Sequence, residues 1–187
     1  MIGYAFCGSF CTLKDSLAAL EKLSNEGYEI QPIMSETVYS TDTRFFSKED
    51  LCKKVRELTG RQIIHTVKDA EPLGPASPLS ALVIAPCTGN TVAKLASGIT
   101  DSAVTMAAKA HLRRDRPLLI ALASNDAMSQ NLGNIGRMIS RKSVYFVPMR
   151  QDDPVGKPHS LVADFSLLGA SLEAMMRGEQ KRPLFIC

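Results

Sequence analysis

The chain has 187 residues, 45% hydrophobic and 22% charged, with a formal net charge of +3. That size predicts a single domain, 1-187, with a real core and an ordinary globular balance. The small charge and the lack of a Lys/Arg run exclude a dedicated nucleic-acid binder, and Arg113-Arg114-Asp115-Arg116, broken by an acid, reads as a solvated helix end.

Met1-Ile2-Gly3-Tyr4 has no basic segment ahead of it and enters a strand at once, unlike a secretory signal. Ile2 to Cys7 is an apolar run with aromatics, a buried first strand. Gly8-Ser9-Phe10-Cys11 is a tight exit loop, and Thr12-Leu13-Lys14-Asp15 reads as a capping box. Leu13, Leu17, Leu20 and Leu23 repeat at helical spacing, with Gly27 as the stop. Tyr28 to Met34 predicts a second strand, and the hydroxyls of Tyr39, Ser40, Thr41 and Thr43 a loop or frayed helix. Ser47-Lys48-Glu49-Asp50 is a second capping box, opening a helix with Leu51, Val55 and Leu58 buried and Gly60 closing it.

Gln62 to Val67 predicts a third strand, and Glu71 to Pro78, with three prolines and a glycine, a surface loop. The uncharged stretch from Pro72 to Ala93 carries too many prolines, glycines and polar residues to span a membrane. Leu79 to Ala85 reads as the fourth strand. It runs into Pro86, the loop Cys87-Thr88-Gly89-Asn90-Thr91 and a small-residue helix. Gly98 predicts a break near Ile99-Thr100-Asp101, before a second helix to about His111. Pro117 to Ala123 is a fifth strand, Ala127 to Ser140 a helix and Val144 to Pro148 a sixth strand. Gln151 to Pro158 is a loop, and Ser160 to Met176 a final helix. Alternating strands and helices, with strands apolar throughout, indicate an α/β fold with a central parallel sheet covered on both faces. The five cysteines have no C-x-x-C spacing, so a reducing cytoplasm is expected, with no disulfide framework and no metal site.

Ligands of such sheets bind at the carboxyl ends of the strands. Gly8, Ser9 and Phe10 leave the first strand there, either as a phosphate loop or as a plain β–α turn. The full G-x-G-x-x-G fingerprint is absent, which favours a mononucleotide over a dinucleotide. Ser35 and Thr37 leave the second strand, as phosphate ligands or as turn and cap residues. Pro86, Cys87, Thr88, Gly89, Asn90 and Thr91 leave the fourth, and Ala123, Ser124 and Asn125 the fifth. Asn90 and Asn125 can hydrogen-bond a heterocycle or cap helices. Cys87 is either a reactive thiol or a packed small residue.

Pro86-Cys-Thr-Gly-Asn-Thr91, with Lys94, Ala96, Gly98, Asp101 and Thr105, resembles the P-A-S-A-N-T region of flavin-dependent cysteine decarboxylases. Gly8-Ser9 is similar to their first phosphate loop, and Asn125-Asp-Ala-Met128 to their N-x-x-M segment. Three further stretches resemble the dipicolinate synthase B-subunit family: Gly3-Tyr-Ala-Phe-Cys-Gly-Ser-Phe-Cys-Thr12, Ile64-His-Thr-Val-Lys-Asp-Ala-Glu-Pro-Leu-Gly74 and Lys157-Pro-His-Ser-Leu-Val-Ala-Asp164. The resemblance implies a flavodoxin-like/Rossmann-like three-layer sandwich with an FMN site. It implies oxidation of a dihydrodipicolinate to dipicolinic acid in sporulating cells, with the dipicolinate synthase A-subunit as a partner carrying NAD(P). It also implies a homo-oligomer, trimer-based, with the cofactor between protomers.

Cys87, Thr88 and Gly89 replace the decarboxylases' Ala, Ser and Ala. Leu122 stands where Pro is usual and Ser124 where Met is usual. The competing readings are a non-catalytic flavin-binding or scaffold protein, and an FMN-dependent decarboxylase or prenyltransferase, against which these departures speak. No catalytic residue is identified outright. His159 and Lys157 sit in a loop suited to a dicarboxylate substrate, with Arg137 and Arg141 on a helical face. His65 is a weaker candidate, more simply a structural histidine, and His111 reads as surface at a helix end.

Overall fold

The computed structural model describes residues 1–74 and 79–186. Of the proline-rich stretch 71–78, Glu71–Leu73 form a 3-10 turn, while residues 75–78, like Cys187, lie outside the described residues. Strand β1 (Ile2–Phe6) is buried at every position and leads into α1 (Leu13–Asn25). Edge strand β2 (Ile30–Met34) follows, with Pro32 placed where a missing N–H is tolerated. Helices α2 (Glu36–Ser40), α3 (Lys48–Thr59) and α4 (Val67–Ala70) come before β3 (Ala81–Thr88). Next are α5 (Gly89–Ser97), α6 (Ala103–Leu112), β4 (Leu118–Ser124) and α7 (Leu132–Ile139). Strands β5 (Val144–Phe146), β6 (Met149–Arg150) and β7 (Leu161–Ala163) lead to α8 (Leu168–Met176).

The seven-stranded sheet runs β2-β1-β3-β4-β7-β6, with β5 also paired to β4. Alternate side chains feed two cores, because successive residues of a strand point to opposite faces. Tyr4 and Phe6 join Leu20 of α1, Val55 of α3 and Leu172 of α8 on one face. Ala5 and Cys7 join Val92 of α5, Val104 of α6 and Ile135 of α7 on the other. The three layers expected from the resemblance are therefore present.

Several expectations are corrected. The sheet is mixed rather than wholly parallel. The first half of β4 pairs parallel with β5, whereas Ala123 and Ser124 pair antiparallel with Val162 and Leu161 of β7. The end of β4 needs a hydrogen-bonding partner beyond β5, and Leu161-Val162-Ala163 supplies it instead of opening the expected helix. Asp164 then accepts from the Ser166 N–H and starts the 3-10 turn before α8. Gln62 to Val67 is not a strand: it makes one bridge, Ile33 to Ile64, and then turns into α4. There the Thr66 hydroxyl caps the Asp69 N–H at 3.1 Å, so local capping outcompetes strand pairing.

The helix expected from Ala127 begins only at Leu132, because the Asp126 carbonyl takes the Ser129 and Asn131 N–H groups into a turn. Cys87 and Thr88 extend β3 rather than forming a loop, with a register shift against β4 between Ile84 and Cys87. The Thr12 hydroxyl caps nothing and instead donates to the Ser9 carbonyl and hydroxyl, both at 3.0 Å. The Arg cluster is exposed at Arg113 and Arg114, but Arg116 donates to the Leu79 carbonyl at 2.7 Å. Ser47 does cap α3, and Gly60 and Gly98 close α3 and α5 with positive φ, as expected.

One buried polar contact ties α1 to the sheet beneath the site. Ser16 donates to the Ala85 carbonyl at 2.6 Å, and the Tyr4 hydroxyl donates to the Ser16 carbonyl at 2.9 Å. Ser16→Ala removes the donor to the buried Ala85 carbonyl and is expected to destabilise the chain by about 1–3 kcal/mol in urea unfolding.

Candidate functional site

A cleft of about 1050 Å³ opens at the carboxyl ends of β1, β3 and β4. Gly8, Ser9 and Phe10 line it from β1, Thr88, Gly89 and Asn90 from β3, and Ala123, Ser124 and Asn125 from β4. Arg150, Asp152 and Lys157 form its β6–β7 side. The Ser9 side chain is fixed by the Thr12 hydroxyl. Thr88 caps α5 by accepting from the Thr91 N–H at 3.1 Å, and the two hydroxyls meet at 2.9 Å. Asn90 is exposed in the first turn of α5, and Asn125 is exposed beyond β4. Neither caps a helix. Among the described residues neither amide has an intrachain hydrogen bond, so both present open donors and acceptors to the cleft.

The floor between these amides is a closed polar cluster. Ser124 donates to one oxygen of Asp126, and the Asn131 amide donates to the other at 2.9 Å. Asn134 in turn donates to Asn131 at 3.0 Å. Ser124 first, then Asn131, hold the Asp126 carboxyl below the usual carboxylate range. Gly89 sits against the cluster with no room for a methyl group: an added Cβ would lie 2.6 Å from the Asn131 amide nitrogen, 2.7 Å from Asp126 and closer still to the Ser124 hydroxyl.

On the β6–β7 side, Asp152 accepts from Ser160 and from Lys157, the latter at 2.9 Å, and these two contacts hold its carboxyl low. The same Asp152 contact raises the Lys157 ammonium. Arg150 lies 3.8 Å from Asp164. The loop carrying Lys157 is tied to the β4 loop through the His159 carbonyl, which accepts from the Met128 N–H at 2.9 Å.

The other sequence-derived residues lie around the cleft or beneath it. Ser35 caps α2, accepting from the Val38 N–H at 3.4 Å, and Thr37 is exposed with its methyl group beside Gly8. Pro86, Cys87 and Thr91 are buried under the cleft. Burial pushes the Cys87 thiol well above its ordinary value, with the neighbouring Cys7 adding to the shift, which suits a packed residue better than a nucleophile. His65 stacks on Tyr39, ring centroids 3.7 Å apart, and does not reach the cleft. The His159 ring is exposed and does not line the cleft, nor do Arg137 and Arg141. Sequence reasoning missed Asp126, Arg150, Asp152 and Asp164. Asp126 stood in plain view between Ser124 and Asn131, but only the turn at 125–131 folds it back onto both.

A family model described as Flavoprotein matches residues 1–161. The chain belongs to the flavoprotein family. Within it, the chain sides with the dipicolinate synthase B-subunits. It is 43% identical to the one from Bacillus subtilis (strain 168) over 185 residues, covering 99% of this chain and 92% of the relative. The crystal structure of the dipicolinate synthase B-subunit from Bacillus halodurans C superposes with a TM-score of 0.91 at 40% identity, covering 100% of this chain and 95% of that one. The FMN-dependent cysteine decarboxylase SpaF shares the flavoprotein fold, with a TM-score of 0.66 at 21% identity over 94% of this chain and 95% of that one. No helix among the described residues is long and apolar enough to cross a membrane.

Proposed function

We propose that this chain is the flavin-binding component of a dipicolinate synthase, which oxidises dihydrodipicolinate to dipicolinic acid in the cytoplasm of sporulating cells. The carrying observation is the convergence of Ser9, Asn90 and Asn125 from three strand ends on one large cleft, with both amides open. Those groups fit FMN. Gly8 and Ser9, with Phe10 beside them and Ser35 and Thr37 on the flanking rim, would hold the phosphate end. Thr88, Gly89, Asn90, Ala123, Ser124 and Asn125 would face the ring, over Pro86, Cys87 and Thr91. Bound there, the flavin would supply a two-electron acceptor beside the substrate.

The chain's own residues bind and orient. Dihydrodipicolinate loses two electrons and two protons on becoming aromatic, so the protein needs to place a dianion rather than to activate it. Lys157, paired with Asp152, stands on the β6–β7 wall, and Asp126, fully engaged by Ser124 and Asn131, keeps the cleft floor rigid. The A-subunit partner, with bound NAD(P), would pass the electrons on. The chain itself would assemble as a trimer-based homo-oligomer.

FMN titration of the purified full chain, followed by flavin fluorescence, tests this reading. One-to-one binding is expected, weakened by about tenfold or more in Asn90→Ala, where a charge-free but cleft-facing amide is lost. No binding at roughly tens of micromolar FMN overturns it.

A further inference from the structure

A second concavity of about 400 Å³ adjoins the cleft, between Phe10-Cys11 and the turn Thr41–Phe45. Phe10 and Cys11 line both spaces, so the two are contiguous. The turn is built to present its tip. The Thr43 hydroxyl accepts from the Phe45 and Phe46 N–H groups at 3.2 and 3.0 Å, and Asp42 accepts from the Lys48 N–H at 2.8 Å. At that tip the Arg44 guanidinium stacks over the Phe45 ring, 4.7 Å from its centroid, and Phe45 is 44% exposed.

Charge pairing separates Arg44 from the cleft's other cations. Lys157 is engaged by Asp152 at 2.9 Å, Arg150 by Asp164 at 3.8 Å and Lys22 by Glu26 at 3.9 Å. Arg44 has no carboxylate partner among the described residues, and its contact is an aromatic face. A guanidinium placed over a ring keeps N–H donors for a carboxylate, while neighbouring aromatic faces take a planar ring by stacking. The volume is of the size that holds small ligands.

We propose that Arg44 and Phe45, with Phe10, form the subsite for a planar cyclic dicarboxylate, holding its ring at the border of the cleft. The proposal rests on the flavin reading above and deepens it by naming where the substrate sits. Arg44 grips one carboxylate, and Phe45 and Phe10 flank the ring. The second carboxylate is left facing the main cleft past Cys11, which lines both spaces.

Calorimetric titration of dipicolinate into the full chain, with and without saturating FMN, tests it. Wild type, Arg44→Gln, Phe45→Ala and Lys157→Gln are compared, each also titrated with FMN alone. Arg44→Gln is expected to weaken dipicolinate binding by about tenfold or more, as loss of a charge-assisted pair does. Phe45→Ala is expected to weaken it severalfold, and both variants are expected to bind FMN like wild type. Residues 44 and 45 lie at the surface, so thermal melts of these variants should coincide with wild type. Dipicolinate affinity unchanged in Arg44→Gln, or lost only in Lys157→Gln, overturns the subsite. FMN binding without any dipicolinate binding overturns the subsite and leaves the flavin reading standing. Failure of FMN binding with Arg44-dependent dipicolinate binding overturns the flavin reading and leaves the subsite.

Discussion

Replacing Gly89 with alanine is expected to abolish FMN binding and to destabilise the chain by about 1–3 kcal/mol, the usual range for forcing a methyl group into filled space. The added carbon would fall within 2.6 Å of Asn131 and 2.7 Å of Asp126, and nearer still to Ser124. None of the three can withdraw cheaply. Ser124 is held in β4, Asp126 is bonded on both oxygens, and Asn131 is 6% exposed and braced by Asn134. Displacing them moves the β4 loop, and Asn125 with it, while the start of α5 carries Asn90 away from the cleft. Gly133→Ala on α7, where an added Cβ meets nothing within 4 Å, is the matched control and should leave both properties near wild type. Fluorescence titration and urea unfolding of both variants check this pair. FMN binding retained in Gly89→Ala would mean that the Ser124–Asp126–Asn131 cluster does not shape the site. Two departures from the decarboxylase motif thereby become one structural change: glycine at 89 makes room for the cluster that serine at 124 completes.

Stability is expected to fall by on the order of 3 kcal/mol between neutral pH and pH 4 through one histidine. His111 is 1% exposed on α6, although its position at a helix end had suggested surface. Its Nε2–H donates to the Pro117 carbonyl at 2.9 Å, and its buried Nδ1 has no partner among the described residues. Burial first, with the nearby Arg116 adding to it against the Pro117 hydrogen bond, lowers its pKa from 6.5 to about 4. The folded chain therefore keeps the ring neutral where the unfolded chain has already taken up a proton. The unfolded state binds more protons between pH 6.5 and about 4, so stability is intact above that window and is lost as pH drops through it. Asp101, Asp126 and Asp152, whose carboxyls are held low, lose their contributions at still lower pH. His111→Gln keeps a donor for Pro117 and removes the titration. Urea unfolding at pH 7 and pH 4.5 should show a clearly smaller pH-dependent loss in the variant. Equal losses would mean that the ring is protonated in the fold.

The parts of the fold legible in the sequence were those specified locally. The Leu13, Leu17, Leu20 and Leu23 spacing gives α1 its buried stripe without help from elsewhere, and Gly60 and Gly98 end α3 and α5 because a positive φ there favours glycine. Ser47 caps its helix with its own hydroxyl. The apolar runs of β1, β3 and β4 mark strands buried on both faces. Because loops at the carboxyl ends of parallel strands converge, Ser9, Asn90, Ser124 and Asn125 could be assigned to one cleft before any distance was known.

Local patterning failed where a segment's hydrogen-bond partners come from far along the chain. Leu161-Val162-Ala163 suits either a helix start or a strand, and only the unpaired end of β4 decides for the strand. That strand and its partner β6 bring Arg150 and Asp152 to the cleft beside Lys157, and residue spacing revealed neither of the first two. Gln62 to Val67 has strand-like composition, yet Thr66 turns it into α4 after a single bridge. By itself, then, the sequence determined the layered α/β architecture, the helix ends and the strand-end cleft, since these follow from periodicity, glycine and capping hydroxyls. Only the tertiary structure decided the mixed sheet, the burial of His111 and the close packing at Gly89. Each depends on what a neighbouring segment places within a few ångströms, and no run of adjacent residues encodes that.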